Sequence, residues 1–112
     1  MQLQYTVQDN YLIIKILEKR FDVISSPYLR EETLALTERT KINDLILDLQ
    51  NIEFIDSAGL VCLLGLWKAM NKKKGNLKFA NLTSPVRQVI DMVLLNKVFD
   101  IYENIESAIV EH

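Results

Sequence analysis

Apolar and polar positions follow two periods along this chain, and each change of period marks an element. Residues 3–8, LQYTVQ, and residues 11–17, YLIIKIL, are rich in apolar and β-branched side chains. Both stretches predict strands. Asp9-Asn10 between them is turn chemistry, so the pair predicts a hairpin. Ser26-Pro27 then opens a helix over 26–40, with serine expected at the N-cap and proline at the first helical position. Leu29, Thr33, Leu36 and Thr40 share one face of it. Residues 45–49, LILDL, are apolar but for one acid, which suits a strand buried on both faces. Leu60, Leu63, Leu64, Trp67 and Met70 recur at three- and four-residue steps and predict a second helix. It ends in NKKKGN, where lysines suit the negative end of the helix dipole and Gly75 is the expected C-cap. LKFA, residues 77–80, is the next strand. Thr83-Ser84-Pro85 repeats the Ser-Pro helix start, and Val86, Val89, Ile90, Val93 and Leu94 form the apolar face that follows. KVFDIY reads as a short strand or an extended piece. Asn104 opens a final short helix with Ile105, Ala108 and Ile109 inward.

The order β-β-α-β-α-β-α-(β)-α predicts an α/β fold. Its sheet is mostly parallel, helices pack on it, and the leading hairpin adds an antiparallel edge. With 112 residues, no linker and no low-complexity segment, residues 1–112 read as one domain. Strand 3–8, at an edge, could pair with another chain.

Composition narrows the function classes. The chain is 49% hydrophobic and 25% charged, as a soluble globular protein is. A net charge of −2 argues against nonspecific nucleic-acid binding, which needs a basic face. Cys62 is the only cysteine, so no intramolecular disulfide forms, and MQLQYTVQDN does not resemble a secretory signal. A cytoplasmic address is therefore expected. The longest apolar stretch, Leu60–Met70, carries glycine and lysine and is too short to span a bilayer.

Candidate chemistry is thin. The only histidine is His112, the last residue, a poor place for the base of a Ser–His–Asp triad. One cysteine and one terminal histidine argue against a zinc site. Three glycines, Gly59, Gly65 and Gly75, cannot build a glycine-rich phosphate loop. Asp44, Asp48, Glu53 and Asp56 crowd the region around strand 45–49 and could in principle hold a hard cation. Acids near strand ends and helix starts are common, however, and no metal is expected. Lys72, Lys73 and Lys74 read as a solvated helix end, and Cys62 as inert core.

The remaining feature is EFIDSAGL, residues 53–60. Ser57 lies where a strand runs out and a helix begins. Asp56 or Ser57 can cap that helix by accepting from a first-turn N–H. A nucleophile there would need a base, and Ile55 stands where a G-x-S-x-G elbow has glycine. Modification is the other use. A serine in the first turn is presented at the surface, and the small Ala58 and Gly59 leave room for a kinase to approach. A phosphate would add about −1.5 to −2 charges, which a helix N-terminus accommodates. Cap and phosphoacceptor both stand on the residues alone.

LILDLQNIEFIDSAGL, followed by an apolar helix, a short strand and SPVRQVIDMVLLNKVFDIYENIESAI, resembles the STAS domains of anti-sigma factor antagonists. The resemblance spans nearly the whole chain, and its most specific block is Leu45 to Leu60. It implies the STAS fold: a mostly parallel sheet of four to five strands, an N-terminal antiparallel hairpin and about four helices. It implies a binding protein rather than an enzyme, with no cofactor. By the resemblance, the unphosphorylated form binds an anti-sigma factor that is often a serine kinase, and so releases the sigma factor. Phosphorylation of the serine in D-S-x-G, here Ser57, ends binding, and a PP2C-type phosphatase resets it. Asp56, Ser57, Ala58, Gly59 and Leu60 then form the partner-binding segment. Asp22 joins them as the acid of a G-x-[LI]-D turn, although Lys19 stands where the family has glycine. The alternative within the family is a subunit that does not switch, packed on a lipid-transport ATPase or built into a stress-signalling scaffold.

Overall fold

The computed structural model describes residues 1–111; His112 lies outside the described residues. The chain opens with the expected hairpin. β1 (Leu3–Gln8) and β2 (Tyr11–Ile16) pair antiparallel with Gln8 opposite Tyr11, which leaves Asp9 and Asn10 as a two-residue turn. Both turn residues have positive φ, 51° and 68°, the backbone that matches the twist of two strands and that Asp and Asn tolerate.

After β3 (Arg20–Phe21) and α1 (Ser26–Thr40) come β4 (Leu45–Asp48), β5 (Phe54–Ile55), α2 (Ser57–Lys72) and β6 (Leu77–Ala80). The chain ends with α3 (Ser84–Met92), a 3-10 turn at Leu95–Lys97, β7 (Asp100–Tyr102) and α4 (Ile105–Val110). The main sheet has five strands in the order β1-β2-β4-β6-β7, parallel except for β1. Alternation along its inner strands divides the core. Leu12, Ile14, Leu45, Leu47, Leu77 and Phe79 face Leu29 and Leu36 of α1, Leu63, Leu66 and Met70 of α2, and Val86 and Ile90 of α3. Tyr11, Ile13, Ile46 and Ala80 point the other way and meet Ala108 and Ile109 of α4. Strands buried on both faces are what the continuous apolar runs demanded.

Several expectations are corrected in detail. Ser26 is not a cap: it is the first residue of α1 and buried, Ser25 holds the cap position, and no side chain caps that helix. Likewise α3 begins at Ser84, with Thr83 as its cap residue; the Thr83 hydroxyl donates to the Ile52 carbonyl at 2.6 Å instead of accepting from the helix. Gly75 does not supply the left-handed residue after α2. Lys74 does, with φ 61°, and the Gly75 N–H closes the turn on the Met70 carbonyl at 2.9 Å. Glycine is needed at 75 because a Cβ there would sit 1.9 Å from the Asn43 carbonyl oxygen. Val93 and Leu94 do not join the core. α3 stops at Met92, Leu94 turns left-handed at φ 63°, and Met92, Val93 and Leu94 stay exposed. No helix among the described residues is long and apolar enough to cross a membrane.

Candidate functional site

Two strands of two residues each, absent from the periodic reading, build the site. β3 and β5 pair in parallel as a small separate sheet, with Arg20 beside Phe54 and Phe21 beside Ile55. The Lys19 carbonyl accepts from the Glu53 N–H at 2.7 Å and the Phe54 N–H at 3.1 Å. Lys19 is therefore used through its backbone, and it is not among the residues of positive φ, so this loop imposes no need for glycine there. The pairing brings Asp22 and Asp56, each just after its strand, into one corner.

Asp56 is extended (φ −103°, ψ −177°), the conformation of an N-cap. Its Oδ1 accepts from the Gly59 N–H at 2.8 Å, and its Oδ2 from the Val23 N–H at 3.1 Å. One carboxylate thus caps α2 and ties the loop after β3 to it. Asp22 organises that loop. Its Oδ1 accepts from the Ile24 N–H at 3.1 Å and the Ser25 N–H at 3.2 Å, while Ser25 Oγ accepts from the Asp22 N–H at 3.0 Å. The Ser25 amide, foremost, together with the Ile24 amide, the Ser25 hydroxyl and the Arg20 charge, holds the Asp22 carboxyl below its ordinary value. Arg20 lies 3.6 Å from Asp22 Oδ2 and stacks its guanidinium 4.0 Å over the Phe54 ring.

The sequence-derived candidates fall in one region but face different ways. Ser57 is the first residue of α2 and is exposed. Ala58 and Leu60 are half-buried. Gly59 is buried and faces inward, which corrects the expectation that its smallness makes room for a partner. A Cβ on Gly59 would stand 2.6 Å from the Phe21 carbonyl oxygen and 2.7 Å from Ile55 Cγ1, so the missing side chain is what lets β3 and β5 cross the helix start. Asp44 and Asp48 lie apart from Asp56: Asp44 accepts from Asn76, and Asp48 from Gln50 and Asn81. Among the described residues no three Cys, His, Asp or Glu side chains are grouped to hold a metal ion.

Apolar surface surrounds Ser57, and sequence reasoning passed over it. Val23 and Ile24, at the tip of the Asp22 loop, are 66% and 77% exposed. A groove of about 270 Å³ is lined by Ser57, Leu60, Val61, Leu64, Val93 and Leu95. Ser57 is thus a polar residue in the wall of an apolar groove, and exposed apolar area concentrated in this way marks interaction sites. The signal was present in Val93, whose apolar character reads as core.

Comparisons with known proteins identify the family. The family model described as "STAS domain" matches residues 2–108. The chain is 30% identical over 111 residues to a Paenibacillus polymyxa protein named anti-sigma F factor antagonist, covering 99% of this chain and 94% of the relative. It is 30% identical over 110 residues to the anti-sigma-B factor antagonist of Bacillus subtilis (strain 168), covering 97% and 99%. The solved Bacillus cell fate determinant SpoIIAA in its phosphorylated form superposes with a TM-score of 0.71 at 18% identity, covering 96% of each chain.

Proposed function

The chain belongs to the STAS domain family, and on that premise we propose that it is an anti-sigma factor antagonist switched by phosphorylation of Ser57. In this reading, residues 1–112 act as one cytoplasmic domain that catalyses nothing itself. The observation that carries the proposal is the position of Ser57. It is exposed, on the first turn of α2, and lines the apolar groove toward α3, one residue after the Asp56 carboxylate that binds the Val23 amide. The two relatives named as anti-sigma factor antagonists supply the class of partner.

The unphosphorylated surface docks an anti-sigma factor that is also a serine kinase. Val23, Ile24 and the groove supply buried apolar area, and Asp56 and Asp22 fix the backbone that presents it. In the kinase site the Ser57 hydroxyl oxygen takes the terminal phosphoryl group of ATP. The bond from that phosphorus to the bridging oxygen breaks, ADP leaves, and the hydroxyl proton passes to a base of the kinase. Ser57 then carries about −1.5 to −2 charges. Both oxygens of Asp56 are already bonded to amides, so that carboxylate stays beside the new charge. A dianion in the wall of an apolar groove must be desolvated for the same partner to dock, and burying an unpaired charge costs several kcal/mol. A change of about 3–5 kcal/mol would weaken binding roughly a hundred- to several thousand-fold. A PP2C-type phosphatase restores the docking form by hydrolysing the phosphoester.

Isothermal titration of the cognate kinase against wild type, Ser57→Ala and Ser57→Asp tests this. Ser57→Ala should bind like wild type, and Ser57→Asp at least tenfold more weakly, with circular dichroism unchanged. Equal binding of Ser57→Asp and wild type would falsify the switch.

A further inference from the structure

The far half of α2 carries a site of another kind. α2 packs on α1, and a cleft of about 330 Å³ opens between them, lined by Arg30, Gly65, Lys68, Ala69 and Lys72. Residues 65, 68, 69 and 72 follow helical spacing and so share one face of α2. Three cations and the two smallest residue types line the cleft, and no carboxylate does. Among the described residues, ion pairs join Arg20 to Asp22 and Arg87 to Asp91, so Arg30, Lys68 and Lys72 have no acid partner. This concentration of uncompensated positive charge stands out in a chain of net charge −2.

Gly65 forms part of the cleft floor. Glycine weakens a helix interior, and here its absent side chain has one consequence. A Cβ at 65 would lie 2.8 Å from Nη1 of Arg30, so the guanidinium lies close over the notch that the glycine leaves. Arg30, from α1, and Lys68 and Lys72, about one helical turn apart on α2, therefore line the same cleft. Like charges gathered in a concave site repel one another and attract anions.

We propose that this cleft binds a compact anion bearing more than one phosphate charge. The Arg30 fork suits two oxygens of one phosphoryl group, and the two ammonium groups act as point charges on a second. A cleft of this volume falls in the range of small-molecule sites. Lys68 follows Ser57 by eleven residues, about 16 Å along the helix at 1.5 Å per residue. An anion there does not reach the phosphoacceptor, so this site stands or falls separately from the switch.

The test is an NMR titration of the full chain with pyrophosphate, read at the amides of Gly65, Ala69 and Lys72. Saturable shifts confined to the cleft and weakened by added sodium chloride are expected. Lys68→Gln/Lys72→Gln should lower affinity at least tenfold. Circular dichroism should be unchanged in this double variant. Unsaturable shifts spread evenly over Lys15, Lys41 and Lys97 would overturn the proposal, as would unchanged affinity in the double variant. Phosphatidylcholine vesicles with and without phosphatidylglycerol form a second arm. Binding to the anionic vesicles with no response to pyrophosphate would assign the patch to a lipid surface and overturn it too.

Discussion

Replacing Asp56 by alanine removes two acceptors at once: the cap on the Gly59 N–H at 2.8 Å and the tie to the Val23 N–H at 3.1 Å. Loss of an N-cap acceptor costs about 1 kcal/mol. Val23 is exposed and its amide rehydrates when released, so that bond is worth less, about 0.5 kcal/mol. The sum, about 1.5 kcal/mol, corresponds to a fall in Tm of about 6 °C for a domain of this size. Asparagine separates the two roles. A carboxamide keeps one acceptor oxygen and turns a donor NH₂ toward the other amide. Asparagine caps helices as well as aspartate does, so Asp56→Asn should keep the Gly59 bond and lose the Val23 bond, at a cost of about 0.5 kcal/mol. Urea denaturation gives the stabilities, and amide hydrogen exchange at Gly59 and Val23 gives the assignment. Both amides should exchange faster in Asp56→Ala, and only Val23 in Asp56→Asn. Unchanged exchange at Gly59 in Asp56→Ala would refute the capping role, and unchanged exchange at Val23 would refute the link between the loop and the helix.

Gly59→Ala places a methyl 2.6 Å from a backbone oxygen of β3, which cannot swing aside as a side chain would. The overpacking should cost about 1–3 kcal/mol, offset by up to about 1 kcal/mol of helix propensity, and a thermal melt at or above the wild-type Tm would contradict it. The Cys62 thiol, whose S–H donates to the Ser26 carbonyl at 3.3 Å, is pushed up by burial from 9.0 to about 11. At pH 8 it should hold about 100-fold less thiolate than an ordinary cysteine and react correspondingly slowly with iodoacetamide until urea is added; fast labelling of the native protein would exclude this. Asp22 has a folded-state value below its ordinary 3.8, so its contribution to loop order is present above about pH 4 and is lost as the pH falls through the folded value. The Ile24 and Ser25 amide resonances should therefore titrate in acid in wild type and not in Asp22→Asn; an identical acid transition in both would remove Asp22 as its cause.

Much of the scaffold was legible in the chain because its signals are periodic. The β-branched run of β2 and the apolar run of β4 are long enough to declare strands buried on both faces, and Leu63 and Met70 declare the buried stripe of α2. Residue chemistry also located the Asp9-Asn10 turn and the helix start at Asp56-Ser57. The misreadings share a cause. Local preference favours Ser26 and Ser84 as helix caps and Gly75 as the left-handed residue, and contacts outside that preference prevail, one within the Asp22 loop and two between distant segments. Ser25 is held by Asp22, Thr83 by the Ile52 carbonyl, and the Asn43 carbonyl lies against Gly75. Val93 and Leu94 fit a helical stripe, yet α3 ends before they reach the sheet.

The amino-acid sequence by itself determined the order of elements, the class of fold and the candidate phosphoacceptor, because each is carried by local pattern or by one contiguous motif. Only the tertiary structure decided how that motif is framed. β3 and β5 are two residues each, below any periodic signal, and their pairing depends on segments more than thirty residues apart. That pairing sets Asp22 beside Asp56, requires glycine at 59, and lifts Val23 and Ile24 to the surface near Ser57. The groove between α2 and the segment after α3, and the basic cleft between α2 and α1, are likewise each products of two segments. Chain pattern specifies which face of a helix is apolar or charged, but the neighbour that leaves part of that face uncovered is known only once the helices are packed.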